Sequence, residues 1–374
     1  MFGKAPFAGR PSIVFLYLGR RGALARFTLD LAMAAQELPE IGASFAISEE
    51  NDTASEFRWL GSALHEINTF STPASPSVVT NFGTAKKELL LYLERLMPSA
   101  VVNLMPHVWT PLLAPSIRRI GIKYLSVIHD VHAHPGDPAG YLNWWLLRET
   151  RSADVVITLS KSVADDLVRR TRTPQANVVT LFHPDLRYGR LPAKRSRDLN
   201  TPLKVLFFGR ILKYKSLPVL VEAIEILRSR GVRIDLGVAG KGDLSSLRGR
   251  LTTLNAEVIN RWIDDSEVAP LLARYDAMVL SHSEASQSGV AATAFGHGMP
   301  VVGVPIGGIA EQVVDGRTGV LASDSSARAL ADAIDELSGN PELYGRIAKH
   351  LSAEAHERSM TRFVRQVASE AIVH

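Results

Sequence analysis

Two cations follow an apolar, β-rich run in the second half of the sequence. The run "LKVLFFG" ends at Gly209, Arg210 comes next, and Lys215 stands just before a segment with apolar residues at helical spacing. Ser216 is predicted to be the N-cap of that helix. A guanidinium and an ammonium group near free N–H groups of a helix start suit a diphosphate, whose charge they neutralise. Taken alone, the pattern more often marks two solvated loop cations.

A second stretch, "SHSEASQSGVAATAFGHGMPVVG", also runs from a strand into a helix. Its Ser288, Gly289 and Val290 stand where a helix offers unpaired amides, and Gly289 permits close approach to the backbone. The alternative is an ordinary capped turn with Glu284 exposed. Two helix starts of this kind in one half of the chain favour a phosphate site.

The segment "DLGVAGKGDL" places Gly240 and Gly242 after another strand. A glycine pair is weak evidence, but it would let a nucleotide base lie against the backbone. Ser245 occupies the position of the third glycine in the dinucleotide fingerprint, which disfavours a nicotinamide-linked oxidoreductase.

In the first half, Gly22 lies in the turn after the first strand, and His129 and Asp130 end a later one. Together with His132 and His134 they raise the alternative of a zinc site, but the spacing lacks a common helical face and a nearby Cys/Glu set. We expect one histidine to donate a hydrogen bond to a sugar hydroxyl or carbonyl instead. No Ser/His/Asp triad can be assembled, so hydrolysis by an activated serine is not indicated.

The elements that must position these residues alternate between β-rich runs and helical patterns along all 374 residues. This alternation predicts an α/β protein with two doubly wound, Rossmann-like domains facing each other across a cleft. The predicted parts are residues 1–190, a linker at 191–202, a second domain at 203–355, and a C-terminal helix at 356–374 that packs back on the first domain. The β-rich runs are "PSIVFLYL", "ASFAI", "AVVNLM", "IKYLSVIH" and "DVVITLS", then "LKVLFFG", "RIDLGVAG", "AEVINRWI", "DAMVLSH" and "MPVVGV".

Composition narrows the class of protein. The chain has no cysteine, which excludes disulfides and thiolate metal sites, and no apolar run of the roughly 18 residues that a membrane span needs. A cytoplasmic protein is the expectation. The net charge is +4, with a dense basic segment at 187–197 that is more typical of solvated surface than of contact with anionic lipid, although the membrane surface stays open as a partner. No nucleic-acid-binding motif accompanies the charge.

Four stretches carry a resemblance to a known family. The chain resembles the family 4 retaining glycosyltransferases of the type B fold, in a subgroup with a Glu-Ala-(Ser/Thr)-Gln-Ser-Gly-Val motif. The resemblance implies that Gly209, Arg210 and Lys215 hold the diphosphate of the donor. The stretches are "GRILKYKS", "VAGKGD", "SHSEASQSGVAATAFGHGMPVV" and "VPIGGIAEQVVDGRTGVL".

The sequence departs from the family pattern in both halves of the chain. Relatives usually carry two glutamates separated by seven residues, the first near the sugar and the second on the ribose. Here Thr293 stands at the second position, and Glu284 lies one residue further away than usual. A threonine hydroxyl loses the charge-assisted grip of a carboxylate. In the first half, Gly22 matches one member of a Gly-Gly pair and Ala23 replaces the other.

The resemblance implies transfer of a sugar from a nucleoside-diphosphate sugar to a hydroxyl of a saccharide or lipid-linked saccharide, in polysaccharide or glycolipid assembly. Glu284 would orient the sugar, His129 would contact the sugar or the acceptor, and Ile263 would join the donor-binding residues. No metal or cofactor is expected, because the cations and amides neutralise the leaving diphosphate. Two alternatives stay open: a non-catalytic, sugar-nucleotide-binding partner subunit, and a nucleotide-sugar epimerase of the same fold.

Overall fold

The computed structural model of the protein describes residues 10–72, 75–131, 143–189 and 195–372. These residues divide into two compact units. The second unit runs from His183 to Ser359, and the first contains the described residues up to Phe182 together with those from Met360 onward. Each unit is a parallel sheet with helices, so the predicted α/β class with two doubly wound domains is confirmed.

The first unit is built on a seven-stranded sheet in the order β3-β2-β1-β4-β5-β6-β7, in which all neighbours are parallel. Every residue of β1, β2 and β4 is buried, because helices cover both faces of a doubly wound sheet, and these central strands are therefore mostly apolar. The strands are β1 Ser12–Tyr17, β2 Gly42–Ser48, β3 Leu64–Ile67, β4 Ala100–Asn103, β5 Lys123–Ile128, β6 Val155–Thr158 and β7 Val178–Thr180.

The last helix of the chain, Met360–Ile372, packs in the first unit. Its Phe363 is fully buried, with ring centroids 5.7 Å from Phe27 and 6.1 Å from Phe182. Short 3-10 turns lie at Ala54–Ala63, Leu147–Arg151 and Gln175–Asn177. The other helices are α1 Ala23–Gln36, α2 Ser77–Thr80, α3 Phe82–Leu96, α4 Thr110–Arg119, α5 Asn143–Leu146 and α6 Lys161–Thr171.

The second unit has a six-stranded parallel sheet in the order β10-β9-β8-β11-β12-β13. The chain winds outwards from β8 in one direction and from β11 in the other, so the order reverses between these two strands. Ligands of open α/β sheets bind outside the carboxyl ends of the strands at such a reversal. The strands are β8 Leu203–Phe208, β9 Ile234–Ala239, β10 Glu257–Ile259, β11 Ala277–Leu280, β12 Val301–Gly303 and β13 Gly319–Leu321.

Seven helices accompany this sheet in the described residues, and two 3-10 turns lie at Lys213–Lys215 and Ala355–Arg358. The first turn joins β8 to its helix and carries one of the predicted site residues. The helices are α7 Leu217–Ser229, α8 Arg248–Thr253, α9 Asp265–Leu272, α10 Gly289–Gly296, α11 Gly307–Gln312, α12 Ala327–Gly339 and α13 Pro341–Ala353.

Residues that precede β8, among them Leu186 and Arg195, form hydrogen bonds with the second unit. The backbone N–H of Leu186 donates to the carbonyl of Ala292 at 3.1 Å, and a Cβ on Gly296 would lie only 2.1 Å from the Leu186 carbonyl oxygen. Further on, the guanidinium of Arg195 donates to three carbonyls, those of Leu272, Tyr275 and His297. The second unit therefore begins before residue 190, at His183.

None of the helices in the described residues is both long enough and apolar enough to cross a membrane.

Candidate functional site

Lys215 is a buried cation in the turn between β8 and α7. Its side chain is 7% exposed, and its ammonium nitrogen lies 3.4 Å from the carbonyl oxygen of Phe208. No acidic side chain of the described residues forms an ion pair with it. Buried charges in proteins are normally paired, since removing an ion from water is unfavourable. A bound anion would therefore stabilise the charge of Lys215, and the described residues do not supply one.

Burial lowers the pKa of Lys215 to about 8, and the neighbouring Arg210 adds to the shift because its positive charge opposes a second one. Arg210 itself is exposed. At neutral pH the ammonium form still predominates. A bound anion would favour that form further.

Gly209 is the point where the end of β8 meets the start of α10. Its φ of +95° is one that side chains rarely adopt. A Cβ at this position would lie 2.9 Å from Nζ of Lys215 and 3.6 Å from Cγ2 of Val290. The structure thus brings Gly209, Lys215 and Val290 together where the strand order reverses.

The start of α10 leaves two amides open. Ser288 is the N-cap, and its Oγ accepts from the backbone N–H of Ala291 at 3.1 Å. Among the described residues, nothing accepts a hydrogen bond from the N–H of Gly289 or of Val290. The N–H of Ser288 is different, because it donates to Oε1 of Gln312 at 2.7 Å. Of the three predicted amides, the structure leaves Gly289 and Val290 available.

The loop that carries Glu284 is held on both sides. The backbone N–H of Ser283 donates to the carbonyl of Tyr214 at 2.7 Å, and the carbonyl of Ala285 accepts from the N–H of Gly308 at 3.1 Å. Glu284 between them is exposed. Its backbone is therefore fixed relative to the Lys215 turn, while its carboxylate faces solvent.

Gly240 and Gly242 are required by the protein's own backbone. A Cβ on Gly240 would lie 1.9 Å from the carbonyl oxygen of Gly209, and one on Gly242 would lie 2.3 Å from that of Ile211. Asn260 also binds Gly242, since its amide donates to the carbonyl at 3.0 Å and accepts from the N–H at 3.1 Å. These contacts place both glycines beside the Gly209 turn. Contact with a base stays a prediction.

Two further donor-binding candidates of this unit are Thr293 and Ile263. Thr293 is buried in α10, and its hydroxyl donates to the carbonyl of Gly289 at 2.8 Å. Ile263 is half-buried in the connection between β10 and α9. Their contacts with a ribose or base stay predictions.

Gly22 and His129 belong to the first unit. Gly22 has a φ of +94° directly before α1, and a Cβ there would meet no atom within 4 Å. His129 follows β5 and is buried, with Nε2 2.9 Å from the carbonyl oxygen of Leu104 and its ring edge-on to Phe27. Burial lowers the pKa of this imidazole, although the Leu104 hydrogen bond opposes the shift, so the neutral form is favoured.

Ser216 holds the predicted N-cap position of α7, but its φ is +48° and its hydroxyl makes no capping hydrogen bond. The sequence did not indicate Ser281, whose hydroxyl donates to the carbonyl of Lys215 at 2.9 Å, or Gln312, whose amide also donates to the carbonyl of Ser288 at 3.2 Å. A serine at a strand end and an amide at a helix end are too common to signal these contacts.

The described residues contain no group of three or more His, Asp or Glu side chains that could hold a metal ion. His132 and His134, which raised the zinc alternative together with His129 and Asp130, lie outside the described residues.

Residues 202–340 match the family model described as glycosyl transferases group 1. This segment, called the group 1 segment below, is the part of the second unit that is similar to that family. It contains Gly209, Lys215 and the start of α10, and so includes the candidate anion site.

Two curated relatives are similar to the chain over part of their length. The glycogen synthase of Mycobacterium tuberculosis is 28% identical over 241 residues, which is 61% of this chain and 57% of that protein. The D-inositol 3-phosphate glycosyltransferase of Arthrobacter sp. is 32% identical over 190 residues, 47% of this chain and 44% of the relative. The chain thus matches about half the length of each.

Among solved structures, Anabaena HepE in complex with UDP superimposes with a TM-score of 0.72 at 16% identity, over 96% of this chain and 99% of HepE. The match covers both units, which gives the protein the type B glycosyltransferase fold.

Proposed function

We propose that the protein is a retaining glycosyltransferase that moves a sugar from a nucleoside-diphosphate sugar to an acceptor hydroxyl. The observation that carries the proposal is the buried, unpaired ammonium of Lys215 beside the open amides of Gly289 and Val290. A diphosphate supplies the missing negative charge and the missing acceptors at once. The group 1 segment and the UDP complex of HepE support a nucleotide in this role.

In this proposal, Lys215 and Arg210 bind the diphosphate as cations, and the two amides of α10 donate to its oxygens. These groups become more effective as negative charge grows on the leaving phosphate, so they stabilise the transition state more than the bound donor. The same charges make a divalent metal unnecessary and leave the enzyme without a cofactor.

Retention of the anomeric configuration follows if the acceptor attacks the face from which the diphosphate departs. The bond between the anomeric carbon and the phosphate oxygen breaks, a bond to the acceptor oxygen forms, and the acceptor proton passes to the leaving phosphate. Glu284 would orient the sugar and stabilise positive charge at the anomeric carbon. His129 would contact the sugar or the acceptor.

The proposed donor sugar is a hexose and the proposed acceptor a saccharide, free or linked to a lipid, in polysaccharide or glycolipid assembly. The names of the relatives, a glycogen synthase and an inositol-phosphate glycosyltransferase, support a hydroxylated acceptor of this kind. Contact with an anionic membrane face through the basic segment at 187–197 and a cytoplasmic location are parts of the same proposal.

A panel of nucleoside-diphosphate hexoses tests the proposal. Purified protein is incubated with each donor, with and without extracted saccharide and lipid acceptors, and release of nucleoside diphosphate is followed. We expect release that depends on an acceptor, and a product whose anomeric proton coupling matches that of the donor. Binding of a donor without turnover under any condition would instead indicate a partner subunit. An epimerised donor without transfer would indicate the epimerase.

A further inference from the structure

Gln312, the last residue of α11, makes hydrogen bonds with both the N–H and the carbonyl group of Ser288. Its Oε1 accepts from the Ser288 N–H at 2.7 Å, and its Nε2 donates to the Ser288 carbonyl at 3.2 Å. A primary amide that makes both contacts holds the backbone of one residue in a single orientation. No other described side chain donates to that carbonyl.

These hydrogen bonds also affect the direction of the next backbone N–H group, that of Gly289, because the two groups share one peptide unit. The carbonyl of Ser288 and the N–H of Gly289 belong to one planar, trans peptide unit and point in opposite directions. Because the Ser288 carbonyl points towards the Gln312 side chain on α11, the N–H of Gly289 points away from α11. The same carbonyl accepts the first helical hydrogen bond, from Ala292 at 3.1 Å. The direction of the open amide is thus set by Gln312 together with the helix.

Gly308, at the other end of α11, holds the helix against the loop. A Cβ on Gly308 would lie 2.2 Å from the carbonyl oxygen of Ser286 and 2.9 Å from Cα of Gln287. Its N–H donates to the carbonyl of Ala285. A single short helix therefore holds the loop before α10 at residues 285–288, and the side chain of Gln312 supplies two of the hydrogen bonds.

We infer that Gln312 is a positioning residue for the diphosphate: it keeps the Ser288 N–H out of the anion site and orients the Gly289 N–H into it. The inference rests on the proposed function, because it assumes that this site binds a diphosphate. Gln312 need not touch the ligand. Its loss should weaken anion binding by misdirecting an amide rather than by removing a contact.

Inorganic pyrophosphate is the probe, since it needs neither the base nor the sugar. Calorimetry compares the wild type with Gln312→Met, which keeps the length and loses both hydrogen bonds, and with Lys215→Met, which removes the charge. We expect about tenfold weaker binding in Gln312→Met, the effect of ~1.4 kcal/mol, and a larger loss in Lys215→Met. The midpoint of thermal unfolding of each variant shows whether the fold is kept.

Gln312→Glu separates positioning from a general structural role. A protonated carboxyl can donate to the Ser288 carbonyl and accept from its N–H as glutamine does, whereas a carboxylate can only accept and adds a negative charge near the site. Relative to the wild type at the same pH, Gln312→Glu should bind pyrophosphate nearly normally at about pH 4 and weakly at about pH 7. A merely structural role would move the midpoint of thermal unfolding together with binding, so that midpoint is measured for Gln312→Glu and the wild type at both pH values, and positioning predicts that only binding changes.

The outcomes are distinct. If the wild type does not bind pyrophosphate or any nucleoside diphosphate, the proposed function fails. If the wild type binds, Lys215→Met does not, and the two Gln312 variants bind as the wild type does at every pH, the diphosphate site stands and the role of Gln312 is overturned. With an active donor, the inference also expects Gln312→Met to lower kcat as well as to raise KM, because the misdirected amide would serve the leaving phosphate more than the bound donor.

Discussion

The two units differ in how many hydrogen bonds the chain provides to a buried ionisable side chain. Glu149 in the first unit is fully buried, and Lys215 in the second is nearly so. Lys215 has a single 3.4 Å contact with a carbonyl. The carboxylate of Glu149 accepts four hydrogen bonds, from Asn103 at 2.6 Å, Ser126 at 2.5 Å, Tyr124 at 2.9 Å and the hydroxyl of Thr110.

The pKa shifts of the two groups reflect this contrast. Burial raises the pKa of Glu149, but the four hydrogen bonds oppose the shift and favour the charged form. Burial lowers the pKa of Lys215 to about 8, and Arg210 adds to that shift instead of opposing it. A buried charge that the chain satisfies from its own donors serves the fold. One that the chain leaves unsatisfied is a candidate for ligand binding.

The largest effect predicted from this comparison is that of Lys215→Met on turnover. Methionine keeps the apolar stem and removes the charge that would stabilise the leaving diphosphate, so we expect release of nucleoside diphosphate to fall about 100-fold to 1,000-fold. The midpoint of thermal unfolding should stay or rise, because an unpaired buried cation is itself unfavourable.

Lys213→Met is the matched control for that measurement. It removes the same charge from the same turn, but Lys213 is exposed and its charge is screened by solvent. We expect a change of less than about threefold. Equal losses in the two variants would mean that total charge matters, and not the buried ammonium.

Glu149→Leu should have the opposite profile, with a large effect on stability and little on the site. Leucine removes the acceptor that four buried donors share. The Thr110 hydroxyl and the Asn103 amide each have a second, carbonyl acceptor, but the hydroxyls of Ser126 and Tyr124 would be left without a partner. We expect the free energy of unfolding to fall by about 3 kcal/mol. Such a loss lowers the midpoint of thermal unfolding by roughly 6–12 °C. KM for the donor, measured on folded protein well below that midpoint, should be unchanged.

Glu149→Gln keeps the size of the side chain and one acceptor oxygen, so it should lose less stability than Glu149→Leu. A Glu149→Leu variant that unfolds at the wild-type temperature would show that the four hydrogen bonds are not what holds this part of the first unit.

The same contrast explains what the sequence could predict of the fold. Each of the ten β-rich runs contains a strand. Nine of these are interior strands, which are largely apolar because helices cover both faces of the sheet, and the tenth, β10, is an edge strand. The missed strands are all at sheet edges and have three or four residues, and the polar His65 and Glu66 lie within one of them. Edge strands bury less, so their composition carries less signal. They are β3, β7 and β13.

At the site, residue types were predictable where the local backbone demanded them. Gly209 and Gly289 mark turns, and Lys215 follows a strand end at a spacing that places it by the next helix. The contacts of Ser281 with Lys215 and of Gln312 with Ser288 join residues 66 and 24 positions apart. Nothing local requires those residue types, so only the folded chain reveals these contacts.

The pKa of Lys215 predicts a smaller, reversible effect. Pyrophosphate binding requires the ammonium form, and half of it is lost in the free protein at about pH 8. Affinity should therefore fall as pH rises, by about tenfold between pH 7 and pH 9. Titration calorimetry of the wild type and of Lys215→Met at several pH values checks this. The variant should show a flatter profile after correction for ionisation of pyrophosphate, and parallel profiles would assign the effect to another group.

The smallest effect is predicted for Thr293→Val. This variant tests whether a polar group near the site that already has a hydrogen-bond partner within the chain takes part in binding. The Thr293 hydroxyl donates to the Gly289 carbonyl within α10, and the side chain is 3% exposed. Like Glu149, it is satisfied by the chain, so its removal should change KM for the donor by less than about twofold and the free energy of unfolding by about 1 kcal/mol. Steady-state kinetics with the ribonucleotide and 2′-deoxyribonucleotide forms of one donor provide the measurement. If the variant instead lost affinity for the ribo form alone, the hydroxyl would contact the ribose, and a satisfied hydrogen bond would no longer separate the residues that serve the fold from those that bind the donor.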